Sequence, residues 1–158
     1  MKKHLILLFI FTAIACKQMQ QKISVAKQAE FVLNLDSIEK ANSKQMEIAG
    51  SNLNKLTVSR IDSTIWMNST MPINNRHRIF GYDKPNKKSE KLLLISIFTS
   101  DVERNPFGFA FGAFYFTDFN HYMKYLKSEE DFILANYIEY GKLKGKIYIP
   151  KENVEFKY

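Results

Sequence analysis

Cysteine is almost missing from this chain: Cys16 is the only one among 158 residues. One thiol cannot form an intrachain disulfide or a thiolate zinc cluster, so stability must come from packing. Long apolar runs are equally scarce. The longest, Leu5 to Ile14, falls short of the ~20 residues that a helix needs to cross a hydrocarbon core. Catalytic signatures are lacking too. There is no Gly-x-Ser-x-Gly elbow for a serine nucleophile, and Gly108-Phe109-Ala110-Phe111-Gly112 lacks the Lys-Ser/Thr ending of a phosphate loop. Asp101-Val102-Glu103-Arg104-Asn105 spaces oxygen ligands like a calcium loop, but Pro106 and Gly112 stand where that loop needs a turning Gly and a bidentate Glu. No repeat and no nucleic-acid motif is visible, and nothing points to a cofactor.

What is present begins with Met1 to Cys16, MKKHLILLFIFTAIAC. Lys2 and Lys3 make a basic start, an apolar stretch follows, and Ala13-Ile14-Ala15 leads with small residues into Cys16, the layout of an export signal. This stretch resembles the lipobox of bacterial lipoproteins, where a cysteine is acylated and becomes the mature N-terminus. Ala13 departs from the Leu preferred by that family. The resemblance implies a cleaved signal over 1–15, lipid on Cys16, a tether over 16–23 and a single globular domain over 24–158. The short Lys-start signal and the Lys/Ile/Asn-rich composition are similar to lipoproteins of the Bacteroidota. In that group acidic residues just after the cysteine are associated with surface display. None occurs from Lys17 to Gln28, nor is there an Asp at position 17, so the expected location is the outer membrane facing the periplasm.

The formal charge is +7, and without Lys2 and Lys3 it falls to +5, 21 basic residues against 16 acidic. Such a balance favours an acidic envelope protein or glycan as partner through long-range attraction. The densest basic clusters are Lys84, Lys87 and Lys88, and Lys142, Lys144 and Lys146. A hydrophobic fraction of 46% with 14% aromatics supplies enough apolar surface to offset chain entropy, so a folded domain is expected.

Patterning predicts an α+β fold: an antiparallel sheet of about five to six strands with an N-terminal helix and a short second helix. Apolar residues at helical spacing place the first helix within 25–48, before Gly50. Leu53 to Trp66 reads as one or two strands, and Met71-Pro72 breaks the pattern. Arg76 to Tyr82 reads as a short strand, Asp83 to Ser89 as a loop. Leu92 to Thr99, apolar at odd and even positions, reads as the central strand, covered on both faces. Phe109 to Thr117 reads as its neighbour, after a turn over Asp101 to Gly108. Phe107, Phe109, Phe111 and Tyr115 then share one face, and Gly108, Ala110 and Gly112 the other. The second helix is expected where Phe119, Tyr122, Met123 and Leu126 follow Thr117-Asp118. A meander closes the chain: Phe132 to Tyr140, a turn over Gly141 to Gly145, Lys146 to Ile149, and Val154 to Tyr158. A helix over 129–140 is the alternative, because Ser128 to Asp131 resembles a capping box and Gly141 a helix stop.

Candidate chemistry is thin. His77, between Arg76 and Arg78, is explained by a solvated strand end. His121, three residues after Asp118, would share a helical face with it, which supplies two metal ligands and not a site. The aromatics Phe107, Phe109, Phe111 and Tyr115 could line a ligand cavity, with core as the default. Asp36-Ser37-Ile38 and Asp62-Ser63-Thr64 resemble the short motif for O-glycosylation of exported Bacteroidota proteins, which makes Ser37 and Ser63 candidate acceptors; a local capping or turn motif explains them equally. The expected function is non-catalytic: a lipid-anchored envelope protein with a binding or structural role. The rivals are an immunity or inhibitor lipoprotein, a hydrolase and a small-ligand binder. Intact mass of protein from native membranes should exceed the lipidated polypeptide by sugar if Ser37 or Ser63 is glycosylated; a mass explained by lipid alone rejects the modification.

Overall fold

A computed structural model describes residues 35–50, 53, 55–67, 77–116 and 118–158. The signal, Cys16, the tether, the first part of the predicted helix and Met71-Pro72 lie outside the described residues. The chain forms two compact units, residues 1–40 and 41–158. Residues 35–40 of the first and 41–49 of the second are helical, here α1, within the range that apolar spacing predicts.

The second unit is a sheet protein. Its strands in chain order are β1 (Leu56–Ser59), β2 (Thr64–Trp66), β3 (Ile79–Tyr82), β4 (Lys91–Ser96), β5 (Ala113–Tyr115), β6 (His121–Glu129), β7 (Phe132–Glu139), β8 (Lys142–Pro150) and β9 (Val154–Lys157), with a short helix α2 (Thr99–Val102) after β4. They form one sheet in the order β5-β4-β3-β8-β7-β6-β2-β1-β9. The fold is therefore mixed α+β, but the sheet has nine described strands rather than five or six. It is also mixed, because β1 pairs with β9, and β4 with β5, in parallel. Three-residue strands such as β2 and β5 carry too few alternations to register as strands in sequence. Parallel neighbours meet only through long crossovers that local patterning does not reveal.

The expected central strand is not central. β4 is second from the edge, and the β6–β7–β8 meander holds the middle. Leu93, Leu94 and Ile95 of β4 are nonetheless buried on both faces. One face joins a core with Ile79, Met123, Ile133, Ala135, Tyr137, Ile147 and Ile149. On the opposite face Phe80 meets Phe109 edge-on at 6.2 Å, and Phe109 in turn meets Phe107 at 5.7 Å. These two phenylalanines come from a loop, not a strand. Arg104, Asn105, Gly108 and Gly112 all have positive φ, which breaks the alternation expected over Phe107 to Thr117. Phe111 turns the other way and stacks on Tyr137 at 5.4 Å.

The second predicted helix is also corrected. Phe119 to Leu126 belongs largely to β6, whose His121 and Met123 are buried. The spacing 119, 122, 123, 126 fits a helix, yet pairing with β2 on one side and β7 on the other satisfies the backbone along the strand. The region Phe132–Glu139 is strand β7, as expected, and not the alternative helix. The predicted turn over Gly141 to Gly145 contracts to Tyr140-Gly141, both at positive φ (47° and 75°), as a two-residue hairpin joining Glu139 to Lys142 requires. The turn predicted over Asp101 to Gly108 opens as the last turn of α2.

Gly145 shows why β8 needs a bare position. A Cβ there would stand 2.5 Å from Cζ of Phe111, so the ring occupies the space a side chain would fill. Gly145→Ala should lower unfolding stability by ~1–3 kcal/mol through overpacking. Measured by urea denaturation, the loss should shrink in the background of Phe111→Leu, since the two residues share one volume.

Candidate functional site

At one end of the sheet the start of β6, the end of β7 and the start of β8 meet. His121 of β6 stands directly opposite Glu139 of β7, so their side chains share a face. Nε2 of His121 lies 3.3 Å from Oε1 of Glu139. On the other edge of the ring, Oδ2 of Asp118 is 2.9 Å from Nδ1, out of line with an N–H bond there, which makes this a close polar contact rather than an aligned hydrogen bond. Asp118 is oriented by its second oxygen, which accepts from the backbone N–H of Asn120 at 2.9 Å. A bulge places Lys144 as the extra residue opposite Tyr137 and Ile138. Its Nζ reaches Oε2 of Glu139 at 2.7 Å, an example of a bulge re-aiming a side chain.

Aromatic rings enclose the imidazole. Phe114 stacks on it at 3.8 Å and Tyr140 meets it edge-on at 5.5 Å. Tyr137 lies nearly parallel at 6.3 Å. His121 is buried in consequence. The hydroxyl of Tyr137 is buried without a hydrogen-bond partner among the described residues. Burial, then the charges of Glu139 and Asp118, push its pKa up, so the phenol stays neutral. Glu139 shifts the other way: the Lys144 hydrogen bond, the largest cause, and that of His121 outweigh burial and lower its pKa from the ordinary value of 4.5.

The arrangement limits its own chemistry. The two carboxylates flank opposite edges of one ring and so do not converge on a single ion, and among the described residues no group of three or more His, Cys, Asp or Glu is placed to hold a metal. With each ring nitrogen facing a carboxylate, neither is left to serve a hydroxyl nucleophile. The cluster fastens the loop before β6 to the β7–β8 hairpin, a tie completed by the backbone bond from the N–H of Tyr140 to the carbonyl of Asn120 at 2.9 Å.

A second polar cluster lies at the β3–β4 end. Arg78 donates from Nε to Oδ2 of Asp101 at 2.5 Å and from Nη2 to Oδ1 at 3.3 Å. Ser96 donates to the same carboxylate at 2.7 Å, and the guanidinium sits 4.4 Å over the ring of Phe98. Asn42 bonds both backbone groups of Arg78. Asp101 is thus engaged in a buried ion pair, which accounts for its place in the calcium-like run. His77 next to it is fully buried, which corrects the expectation of a solvated strand end.

The pair singled out in sequence as two metal ligands, Asp118 and His121, is brought together, on a loop and a strand rather than a helix. Glu139 and Tyr137 went unnoticed, and Lys144 was read only as part of a basic cluster, because their proximity to His121 is a matter of strand register. The aromatics divide: Phe107 and Phe109 cover one side of the sheet, Phe111 the other, and Tyr115 is half-buried on β5. Ser37 is exposed on α1, and Ser63 is half-buried in the β1–β2 turn at φ 61°. There Asp62 accepts from the hydroxyl and the backbone N–H of Thr64. The Thr64 hydroxyl first, then Ser59 and the Thr64 amide, hold the Asp62 carboxyl well below the usual carboxylate range. Asp62-Ser63-Thr64 therefore has a turn-forming role independent of any sugar.

The fold and its buried site are those of a mixed α+β sheet protein with an enclosed, carboxylate-flanked histidine. No family model, curated protein or solved structure matches the chain.

The lowered pKa of Glu139 means that its ionised form is favoured by folding. That contribution is present above about 4.5 and lost as pH falls through the depressed folded value. Lys144→Met removes the main cause, so the Glu139 carboxyl should titrate at higher pH in side-chain NMR, and acid unfolding followed by circular dichroism should begin at higher pH than in the wild type.

Proposed function

We propose that this chain is a cell-envelope protein held at a membrane by lipid on Cys16, and that its domain acts by binding rather than by turning over a substrate. The observation that carries the binding half is the geometry of His121. A general base needs a ring nitrogen directed at a nucleophile or a water in a cleft, whereas here both nitrogens face carboxylates inside an aromatic enclosure. The two buried clusters are accounted for as structural ties, so the surface is where this protein meets its partner.

The anchoring half rests on the sequence of Met1 to Cys16. Among the described residues no helix is long and apolar enough to cross a membrane; the attachment proposed is lipid on Cys16. Stable attachment takes more than one acyl chain, at ~0.8 kcal/mol per buried methylene, which lipoprotein-type modification provides. The location proposed is the outer membrane facing the periplasm, and the mature charge of +5 directs the domain toward anionic components of that compartment.

Fractionation tests the anchor. Wild-type protein should remain with membranes through a high-salt wash and partition into detergent, whereas Cys16→Ala should lose lipid and leave the washed membrane fraction. Wild-type levels of washed, membrane-bound Cys16→Ala protein would overturn the reading. Crosslinking in native membranes followed by mass spectrometry should recover a discrete envelope component; hydrolysis of an envelope substrate that is abolished by His121→Asn would overturn the binding half.

A further inference from the structure

Large apolar side chains left exposed gather at one end of the sheet. Phe119 is 66% exposed, Tyr140 70%, Leu143 63% and Trp66 42%. Strand register explains the grouping. Trp66 of β2 pairs with Tyr122 of β6, Tyr122 with Ile138 of β7, and Ile138 with Leu143 of β8. Paired residues share a face, and their sequence neighbours Ile65, Met123 and Tyr137 are buried in the core. The four therefore form one row on the outward face, crossing four strands spaced ~4.8 Å apart. The rings of Trp66 and Tyr122 lie 6.2 Å apart within it. Phe119 and Tyr140 stand in the two turns at the same end, and the Asp118–His121–Glu139 contacts bind those turns together.

The next row on the same face is polar: Thr64, Lys124, Asn136 and Lys146 are paired in the same way, with Thr64 itself buried. Lys142 lies in the hairpin itself. Lys124 is paired with Asp62 and Lys144 with Glu139, but among the described residues Lys142 and Lys146 enter no ion pair, so their charge is available to an external anion. The order is thus an apolar, aromatic crest backed by lysines. That sequence of chemistries suits the boundary of a bilayer, where Trp and Tyr settle at the headgroup level and lysine meets anionic lipid.

We propose that this crest docks on an anionic lipid surface, which lays the domain against the membrane instead of leaving it extended on its tether. A bilayer is favoured over a folded protein because the most exposed residues of the crest, Phe119 and Tyr140, stand in the turns at the very end of the sheet. A fluid interface receives such turns without a preformed pocket, whereas a protein partner would need a matching concavity. The proposal rests on the anchoring reading, since lipid on Cys16 would hold the crest at high effective concentration near the bilayer and let a weak contact persist.

Trp66 is the only tryptophan in the chain, so its fluorescence reports on the crest alone. Mature lipidated protein, beginning at Cys16, is reconstituted into vesicles of phosphatidylglycerol and phosphatidylcholine with brominated acyl chains and read at saturating lipid; flotation records attachment separately. Docking predicts a blue-shifted, quenched Trp66 emission, weaker quenching on pure phosphatidylcholine, and loss of quenching in Phe119→Ser/Leu143→Ser protein that still floats. Those substitutions are at exposed positions, and unchanged circular dichroism and buffer emission verify folding. A wild-type protein that floats with unquenched Trp66 overturns the docking and leaves the anchor standing. Wild-type protein that fails to float overturns the anchor, while quenching at saturating lipid still decides the docking. Quenching that survives both substitutions, or Trp66 shielded by a crosslinked protein in native membranes, also overturns it.

Discussion

The register between β6 and β7 is the constraint on which the rest of this structure depends. With His121 set opposite Glu139 and Met123 opposite Tyr137, one set of alternating residues enters the core and the other faces outward. A shift by one residue would exchange the two sets, exposing Met123 and Tyr137 and burying Tyr122, Lys124 and Ile138. The same register carries across to β8, where the bulge at Lys144 restores the inward position to Gly145 and frees the lysine for Glu139. Core, polar cluster and exposed crest are consequences of one alignment.

Both buried polar clusters are arranged around aromatic rings; one joins the start of β3 to α2, and the other adds side-chain contacts where β6 and β7 already pair. Arg78 and Asp101 link β3 to α2 through a two-point contact, supported by Ser96 and covered by Phe98. His121 links a loop to a hairpin. Charges removed from water are costly unless nearly all of their hydrogen-bonding capacity is met. Asp101 meets that condition with three donors from Arg78 and Ser96. Such ties define local geometry more than they add stability. At the His121 end they hold the turns that carry Phe119 and Tyr140, so a buried group shapes the surface beside it.

Strands bounded by clear turn chemistry were legible in sequence. β7 and β9 fall where alternation placed them, β3 and β4 nearly so, and the loop from Asp83 to Ser89 has its predicted character, with Asn86 accepting from the backbone N–H of Lys88 through its side chain at 2.9 Å. β6 was not legible, because its apolar residues at 119, 122, 123 and 126 satisfy a helical period as well as a strand with a bulge near Leu126. Leu92 to Thr99 was rightly read as doubly covered and wrongly as central, since burial on both faces came from a loop bearing Phe107 and Phe109. The Asp118–His121 pair was visible because its partners are close in sequence. Glu139, eighteen positions away, was not.

The chain by itself determined its class and composition: an α+β domain with one cysteine, a basic balance, aromatics in place of disulfides, and an N-terminal stretch in which two lysines and an apolar run precede that cysteine. These are local properties, set by side-chain type and near-neighbour spacing. Tertiary structure alone decided the strand order, the parallel edges, the burial of His77 and His121 and the alignment of Trp66, Tyr122, Ile138 and Leu143 in one row. Those features depend on which strands pair and in which register, and pairing is chosen by the fit of a whole sheet around its core.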